Sequence, residues 1–325
     1  MKFKLNRIMQ ASAITALSAF MLAACNSSDS GDDTAVFSLG VSDAAVDQAA
    51  RVLVCFSSVE LVGNGQPAQR FEVGGENGAV AANDLCVDDS GNPIPNTKGV
   101  DLLTLQGAAA EDLVSGAEVA AGNYGQLRLD IASGSEIELM DGTVHDLRVP
   151  SNQLRLDGVT LTANQTFNYT LEFDLRKAVV APPGLQHYLL KPRGLRLVNN
   201  AEVGHIESQV SETLLLENGC NVTPDNLGTP VAAVYLYAGH DIAREDMSDN
   251  SDDENGPYAS AAVYYDGAAS YDFAIGFVEQ GNYTVGVTCD IDDDAEEETD
   301  LAFFYDENIE VVADSTVNIV IGTTD

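Results

Sequence analysis

Between residues 167 and 177 the chain alternates without a break. Phe167, Tyr169, Leu171, Phe173 and Leu175 fall on one phase, and Asn168, Thr170, Glu172, Asp174 and Arg176 on the other. A period of two belongs to a β-strand, so the pattern predicts a strand with its apolar phase in a core and its polar phase in water. The same period marks 124–131, where Leu127, Leu129 and Ile131 oppose Gln126, Arg128 and Asp130. It recurs at 283–291, where Tyr283, Val285, Val287, Cys289 and Ile291 share a face. Apolar runs at 35–41, 51–61, 231–237, 271–278 and 317–321 have strand length and are bounded by turn residues. Asp141-Gly142 is a hairpin signal between Ile137-Glu138-Leu139 and Val144-His145-Asp146-Leu147. Residues 188–198 predict a further strand, at an edge or bulged, because Pro192 interrupts it. A short helix is expected at 108–114, and 63–95 reads as loop with turns at Gly74-Gly75 and Ser90-Gly91-Asn92-Pro93.

The expected fold class is therefore all-β, with two β-sandwich domains at 35–202 and 203–325. Gly122-Asn123-Tyr124 in the first recurs as Gly281-Asn282-Tyr283 in the second. A Gly-x-Tyr turn entering a strand resembles the tyrosine corner of Greek-key sandwiches, whose hydroxyl bonds back to backbone, so immunoglobulin-like or transthyretin-like topology is expected. Sugar binding by these tyrosines is the alternative.

The head of the chain changes the picture. Residues 1–24 read as an export signal, with Lys2, Lys4 and Arg7 ahead of an apolar stretch at 8–22 that is too short to span a bilayer comfortably. Leu22-Ala23-Ala24-Cys25 resembles the lipobox of bacterial lipoproteins. The resemblance implies cleavage before Cys25, a diacyl chain on its sulfur and acylation of the new N-terminus, and several acyl chains anchor stably where one is marginal. An ordinary cleaved signal with a free Cys25 thiol is the alternative. Asn26, rather than Asp, after the cysteine implies by the same resemblance the outer membrane of a Gram-negative bacterium. Residues 25–34 carry the lipidated cysteine and a polar, flexible tether. The expected location is the cell envelope, with the membrane as one partner and an envelope protein or glycan as the other.

In an exported chain the four other cysteines, Cys55, Cys86, Cys220 and Cys289, read as disulfides. Three pairings are open. Because the pairs fall on either side of residue 203, Cys55–Cys86 and Cys220–Cys289 are expected, with free buried thiols as the alternative. Zinc is disfavoured, since there is no Cys-x-x-Cys and the four histidines are scattered.

Charge sharpens the functional reading. The chain has 51 acidic and 15 basic residues, a formal net charge of −36, which repels nucleic acid and leaves it no such partner. Arg148, Arg155, Arg176, Lys177, Lys191, Arg193 and Arg196 nonetheless concentrate positive charge in 148–196, opposed there only by Asp157, Glu172 and Asp174. They read either as cross-strand pairs with nearby carboxylates or as a patch that docks the acidic second domain or an anionic glycan. From His205 onward there are 27 acidic residues and one basic residue, Arg244. Its acidic runs at 246–256 and 290–300 do not fit the EF-hand pattern. They read as solvated loops, or as a Ca²⁺ site built from Asp249, Asp252, Asp253, Asp290, Asp292 and Asp294. No other cofactor is expected.

There is no Gly-x-Ser-x-Gly elbow, Ser-x-x-Lys or His-Glu-x-x-His, and among so many carboxylates no pair singles itself out as a glycosidase dyad. No catalytic residue is assigned. The expected function is non-catalytic binding or envelope structure. A Ca²⁺-stabilised adhesion or matrix module and an envelope enzyme of unrecognised type are the alternatives.

Five segments carry a family resemblance: Ser42-Asp43-Ala44, Asp101-Leu102-Leu103-Thr104-Leu105-Gln106-Gly107, Ala121-Gly122-Asn123-Tyr124, Phe173-Asp174-Leu175-Arg176-Lys177 and Leu195-Arg196-Leu197-Val198. In this order, over about residues 35–202, they look like the landmarks of the bacterial domain of unknown function 4382. The resemblance implies a lipoprotein with a β-sandwich domain and no established activity. It brings no functional residue with it.

Overall fold

The strands of the computed structural model follow the alternating and β-branched runs. It describes residues 33–44, 49–251, 255–291 and 296–322; the signal segment, Cys25 and most of the tether lie outside them. The first half holds β1 (Thr34–Ala44), β2 (Ala49–Gly63), β3 (Gln69–Glu72), β4 (Lys98–Asp101), β5 (Glu111–Ala120), β6 (Gly122–Ile131) and β7 (Glu136–Leu139). It continues through β8 (Val144–Arg148), β9 (Gln153–Leu161), β10 (Thr166–Asp174), α1 (Leu175–Ala178), β11 (Val179–Val180), β12 (His187–Leu190) and β13 (Leu195–Asn199). The second half holds β14 (Val203–Val210), α2 (Glu212–Glu217), β15 (Ala232–Ala238), β16 (Ala259–Tyr265), β17 (Tyr271–Glu279), β18 (Gly281–Thr288), β19 (Phe303–Val311), β20 (Thr316–Val317) and β21 (Val320–Ile321).

In the first half a four-stranded sheet, β13-β10-β1-β5, faces a nine-stranded sheet ordered β11-β12-β8-β7-β2-β6-β9, with β3 and β4 added along the long β2. Phe37, Leu39, Phe173, Phe56 and Leu127 are fully buried between them. The second half is an eight-stranded sheet, β19-β18-β15-β16-β17-β14-β20, with β21 beside β14. It folds on itself because β16 pairs with β15 up to Val263 and with β17 from Tyr264, enclosing Ile206, Val234, Tyr271 and Val285.

The two halves repeat one wiring. β1 is antiparallel to β5 and parallel to β10; β14 is antiparallel to β17 and parallel to β20 and β21. β2 pairs β6, which pairs β9; β15 pairs β18, which pairs β19. One residue, Ala121 or Gln280, then joins β5 to β6 and β17 to β18. At each crossing stands the repeated Gly-Asn-Tyr. Tyr124 Oη donates to the Ala120 carbonyl at 2.8 Å and Tyr283 Oη to the Glu279 carbonyl at 2.8 Å. These are two tyrosine corners with the same four-residue reach. Both rings are buried, which removes them as sugar-binding platforms.

Disulfides join Cys55 to Cys86 and Cys220 to Cys289, with Cα atoms 5.9 and 5.3 Å apart. The first ties the long loop after β3 to the middle of β2, and the second ties the segment after α2 to the end of β18.

Four sequence expectations are corrected. Residues 111–120 form strand β5, not a helix over 108–114, because pairing along β1 outweighs the helix propensity of Ala, Glu and Leu. The strand expected at 167–177 ends at Asp174, whose side chain accepts the Lys177 N–H and caps α1. From Thr170 onward its polar phase is not in water, since Thr170, Glu172 and Asp174 are buried. Residues 188–198 form two strands in different sheets, with the chain turning at Pro192.

Candidate functional site: a buried charged joint between the halves

The outer face of the four-stranded sheet meets β16 and β17 of the second half, which explains the buried polar phase of β10. Asp174 and Arg176, at the end of that phase, reach across the boundary. Asp174 accepts the Ser260 N–H at 3.0 Å and the Ser260 hydroxyl at 3.2 Å while still capping α1, so one carboxylate fixes both a first-half helix and a second-half strand. Arg176 is 5 % exposed. It donates to Tyr235 Oη at 3.1 Å and to the Ile291 carbonyl at 3.3 Å, and its guanidinium carbon lies 5.2 Å from the Tyr235 ring centre.

Arg196, next on β13, donates to the Tyr258 carbonyl at 2.7 Å and stacks 4.5 Å from that ring centre. Such a cation over a desolvated ring is stabilised by the ring quadrupole. The Tyr258 hydroxyl in turn accepts the Glu279 N–H at 3.1 Å. At the rim, Arg193 donates to the Asn250 carbonyl at 2.8 Å, and Glu296 accepts from Lys191 at 2.6 Å and from Arg193 at 3.4 Å.

Of the seven basic residues concentrated in 148–196, Arg176, Lys191, Arg193 and Arg196 thus meet the acidic half of the same chain. The others do not. Arg148 pairs with Asp146 on the exposed β8, Arg155 donates to Gln153, and Lys177 contributes its backbone N–H to Asp174.

Two carboxylates sit in this region without donors. Glu172 lies directly across from Arg196 and from Ser42 in the strand register, yet both of its buried oxygens lack a hydrogen-bond partner. The single Ser42 proton is directed at the Leu105 and Ala109 carbonyls. Burial pushes the Glu172 carboxyl up to about 8, against the pull of Arg196 and of the nearby Ser42 hydroxyl. Asp43, at the end of β1, is also fully buried with both oxygens unpartnered. Burial, reinforced by Glu172, Asp174 and Asp101, raises its carboxyl well above the usual range. Burying charge is costly unless it is paired, so this joint selects one docking geometry more than it adds net energy.

The backbone fits as closely as the side chains. Gly107, at positive φ, lies against Gly276 of β17, where a Cβ would come within 1.9 Å of the Gly107 oxygen. Next to it Phe277 takes φ +48, unusual for a bulky residue. Its N–H donates to Nδ1 of His205 at 3.2 Å, and the two rings meet edge to face. An imidazole nitrogen that accepts must be unprotonated there, and burial lowers the His205 value accordingly.

The two acidic runs approach each other beside the joint, whose rim they supply through Asn250, Ile291 and Glu296. Asp249 is buried and accepts the Ser251 N–H and the Thr299 N–H, tying the first run to the second. Asp290 accepts the Ala302 N–H at 2.8 Å. Asp252, Asp253, Asp292 and Asp294 lie outside the described residues. Among the described residues, no group of three or more His, Cys, Asp or Glu is placed to hold a metal, and no helix is long and apolar enough to cross a membrane.

Sequence reasoning named the arginines of the joint but not Asp43, Glu172, Asp174, Tyr235, Tyr258 or Ser260. One signal was present. The segments that carry the family resemblance supply Ser42, Asp43, Gly107, Asp174, Arg176 and Arg196, and all of them gather at this end of the first half.

No curated protein matches the sequence. Among solved structures the chain is similar to a leucine-rich repeat protein from Bacteroides thetaiotaomicron VPI-5482, at 11 % identity over 89 % of this chain and a TM-score of 0.23. The chain spans only about a quarter of that protein, 26 % of its length. A candidate adhesin from Bacteroides ovatus ATCC 8483 is similar at 8 % identity, over 91 % of this chain and 92 % of that one, with a TM-score of 0.22. The family model described as "Domain of unknown function (DUF4382)" matches residues 34–192, and that stretch of the chain is similar to this family.

Proposed function

We propose that this chain is a non-catalytic protein of the Gram-negative cell envelope, held at the outer membrane by acyl chains on Cys25. Its two β halves act as a single binding or structural body toward an envelope protein or glycan. The observation that carries the reading is the joint. It takes Arg176, Lys191, Arg193 and Arg196 into contacts within the chain, while the sequence of the second half carries 27 acidic residues against one basic one. Paired disulfides fit an oxidising compartment. Cys25→Ala is expected to release the folded protein from membranes. Fractionation after a high-salt wash checks this, and a variant that stays with the membranes overturns the single-anchor reading. Pulldown from envelope extracts and a glycan array then separate protein from glycan partners.

A second reading, a Ca²⁺-stabilised adhesion or matrix module, is favoured by the Asp249–Thr299 bond that brings the acidic runs together. Salt only screens exposed charge, over about 8–10 Å at ordinary ionic strength, whereas a bound ion stabilises by mass action. The full chain is expected to melt higher in millimolar CaCl₂ than in NaCl of equal ionic strength, and Asp249→Asn should abolish the difference. Equal melting in the two salts removes calcium.

A further inference from the structure

We propose that the joint between the two halves is a pH-sensitive latch, closed while Glu172 carries its proton and loosened when that proton leaves. The geometry supports this before any titration is considered. Glu172 is 0 % exposed, sits on the face that meets the second half, and has no donor for either oxygen.

The groups around it cannot take over a negative charge without moving. From β13, Arg196 holds the Tyr258 carbonyl through Nη1 and lies over that ring, and its buried Nε and Nη2, which have no partner, do not reach Glu172 where they stand. From β1, the Ser42 proton is directed at two carbonyls, and Asp43 adds like charge when ionised. On β10 itself, Asp174 is a second acid two residues on, occupied by Ser260. From the second half come Tyr258, Tyr283 and Glu279, linked through the Tyr258 hydroxyl and the paired rings. A Glu172 carboxylate would either draw Arg196 away from Tyr258 or admit water to the face. Both loosen the grip of β13 on the start of β16.

The sign follows from the direction of the shift. The carboxyl moves from an ordinary 4.5 to about 8 in the folded joint. An acid raised on folding contributes fully below its unfolded value and loses that contribution as pH rises through the folded one. The latch is therefore tightest in acid and weakens up to about pH 8. Opening of the joint should increase on the order of tenfold per pH unit across the middle of this window.

The test is peptide-resolved hydrogen exchange on the purified full chain in detergent at pH 5.5, 6.5 and 7.5, corrected for intrinsic rates. The readout is the Ser260 N–H, whose acceptor is across the joint. In the wild type its protection should fall with pH; in Glu172→Gln, which cannot ionise, the fall should vanish. Asp43→Asn is the control for the neighbouring acid and should leave the Glu172 difference intact. Parallel profiles for wild type and Glu172→Gln overturn the proposal, and so does a fall that disappears only in Asp43→Asn. If Glu172→Gln does not fold, the carboxylic-acid infrared band of Asp43→Asn decides. A band that persists at pH 7 supports the latch, and complete ionisation by pH 6 overturns it.

Discussion

At the scale of single residues, the two tyrosine corners show how much a local motif can carry. Gly-Asn-Tyr needs only its own turn to be legible, because the hydroxyl reaches a carbonyl four residues back in both halves. Tyr124→Phe and Tyr283→Phe each remove one such partly buried bond and leave a carbonyl short of a partner. Each should cost about 1 kcal/mol, and because they lie in different halves the double variant should cost about the sum. Denaturant unfolding checks both statements, and a hydroxyl-free variant as stable as the wild type would show that the corner is ornamental. Glu172 is the opposite case. Its position in a polar phase reads identically whether the layer beyond is water or protein, so nothing local in the sequence separates a solvated glutamate from a buried one.

At the scale of elements, the strands that the sequence announces are those whose alternation reflects a core on one side and solvent on the other. The residues of β6 and the Asp141-Gly142 hairpin between β7 and β8 are of this kind; the turn closes with Gly142 at positive φ and its N–H on the Leu139 carbonyl. β5 was hidden because its Ala- and Glu-rich start favours helix, while the features that make it a strand are non-local. It pairs with β1 through a register break, and Gly116 at φ +61 places its N–H on the Ser38 hydroxyl. β18 shows the same limit from the other side. Its alternate positions Thr284, Gly286 and Thr288 are under cover as well, since Met247, from the first acidic run, and Leu301, just after the second, pack with Tyr235 and Tyr237 over β15. The disulfides were legible because export, parity and position on the chain suffice to choose a pairing. The concentration of arginines at the joint was legible as charge, but its partner became visible only when the second half was folded against it.

At the scale of the whole molecule, the question is whether two halves with separate cores melt as one. Domain interfaces within a chain are by default loose enough to permit relative motion. Here Asp174 and Arg176 are desolvated across the boundary and the main chains touch at Gly107 and Gly276, so breaking the joint exposes buried charge all at once. The wild type should therefore unfold in one calorimetric transition. Gly276→Ala tests this without altering any charged group, because its new methyl would stand 1.9 Å from the Gly107 oxygen. That oxygen belongs to backbone held between the Leu102–Thr104 turn and β5, so it cannot swing away as a side-chain tip could. Overpacking of this kind typically costs about 1–3 kcal/mol, and here the cost falls on the contact between halves and not on either core. The variant should lose cooperativity, its single transition resolving into two, with the two tyrosine corners and both disulfides still formed in the separated halves. A Gly276→Ala protein that melts in one transition at the wild-type temperature would mean that the joint yields without consequence, and that the halves do not depend on each other for stability.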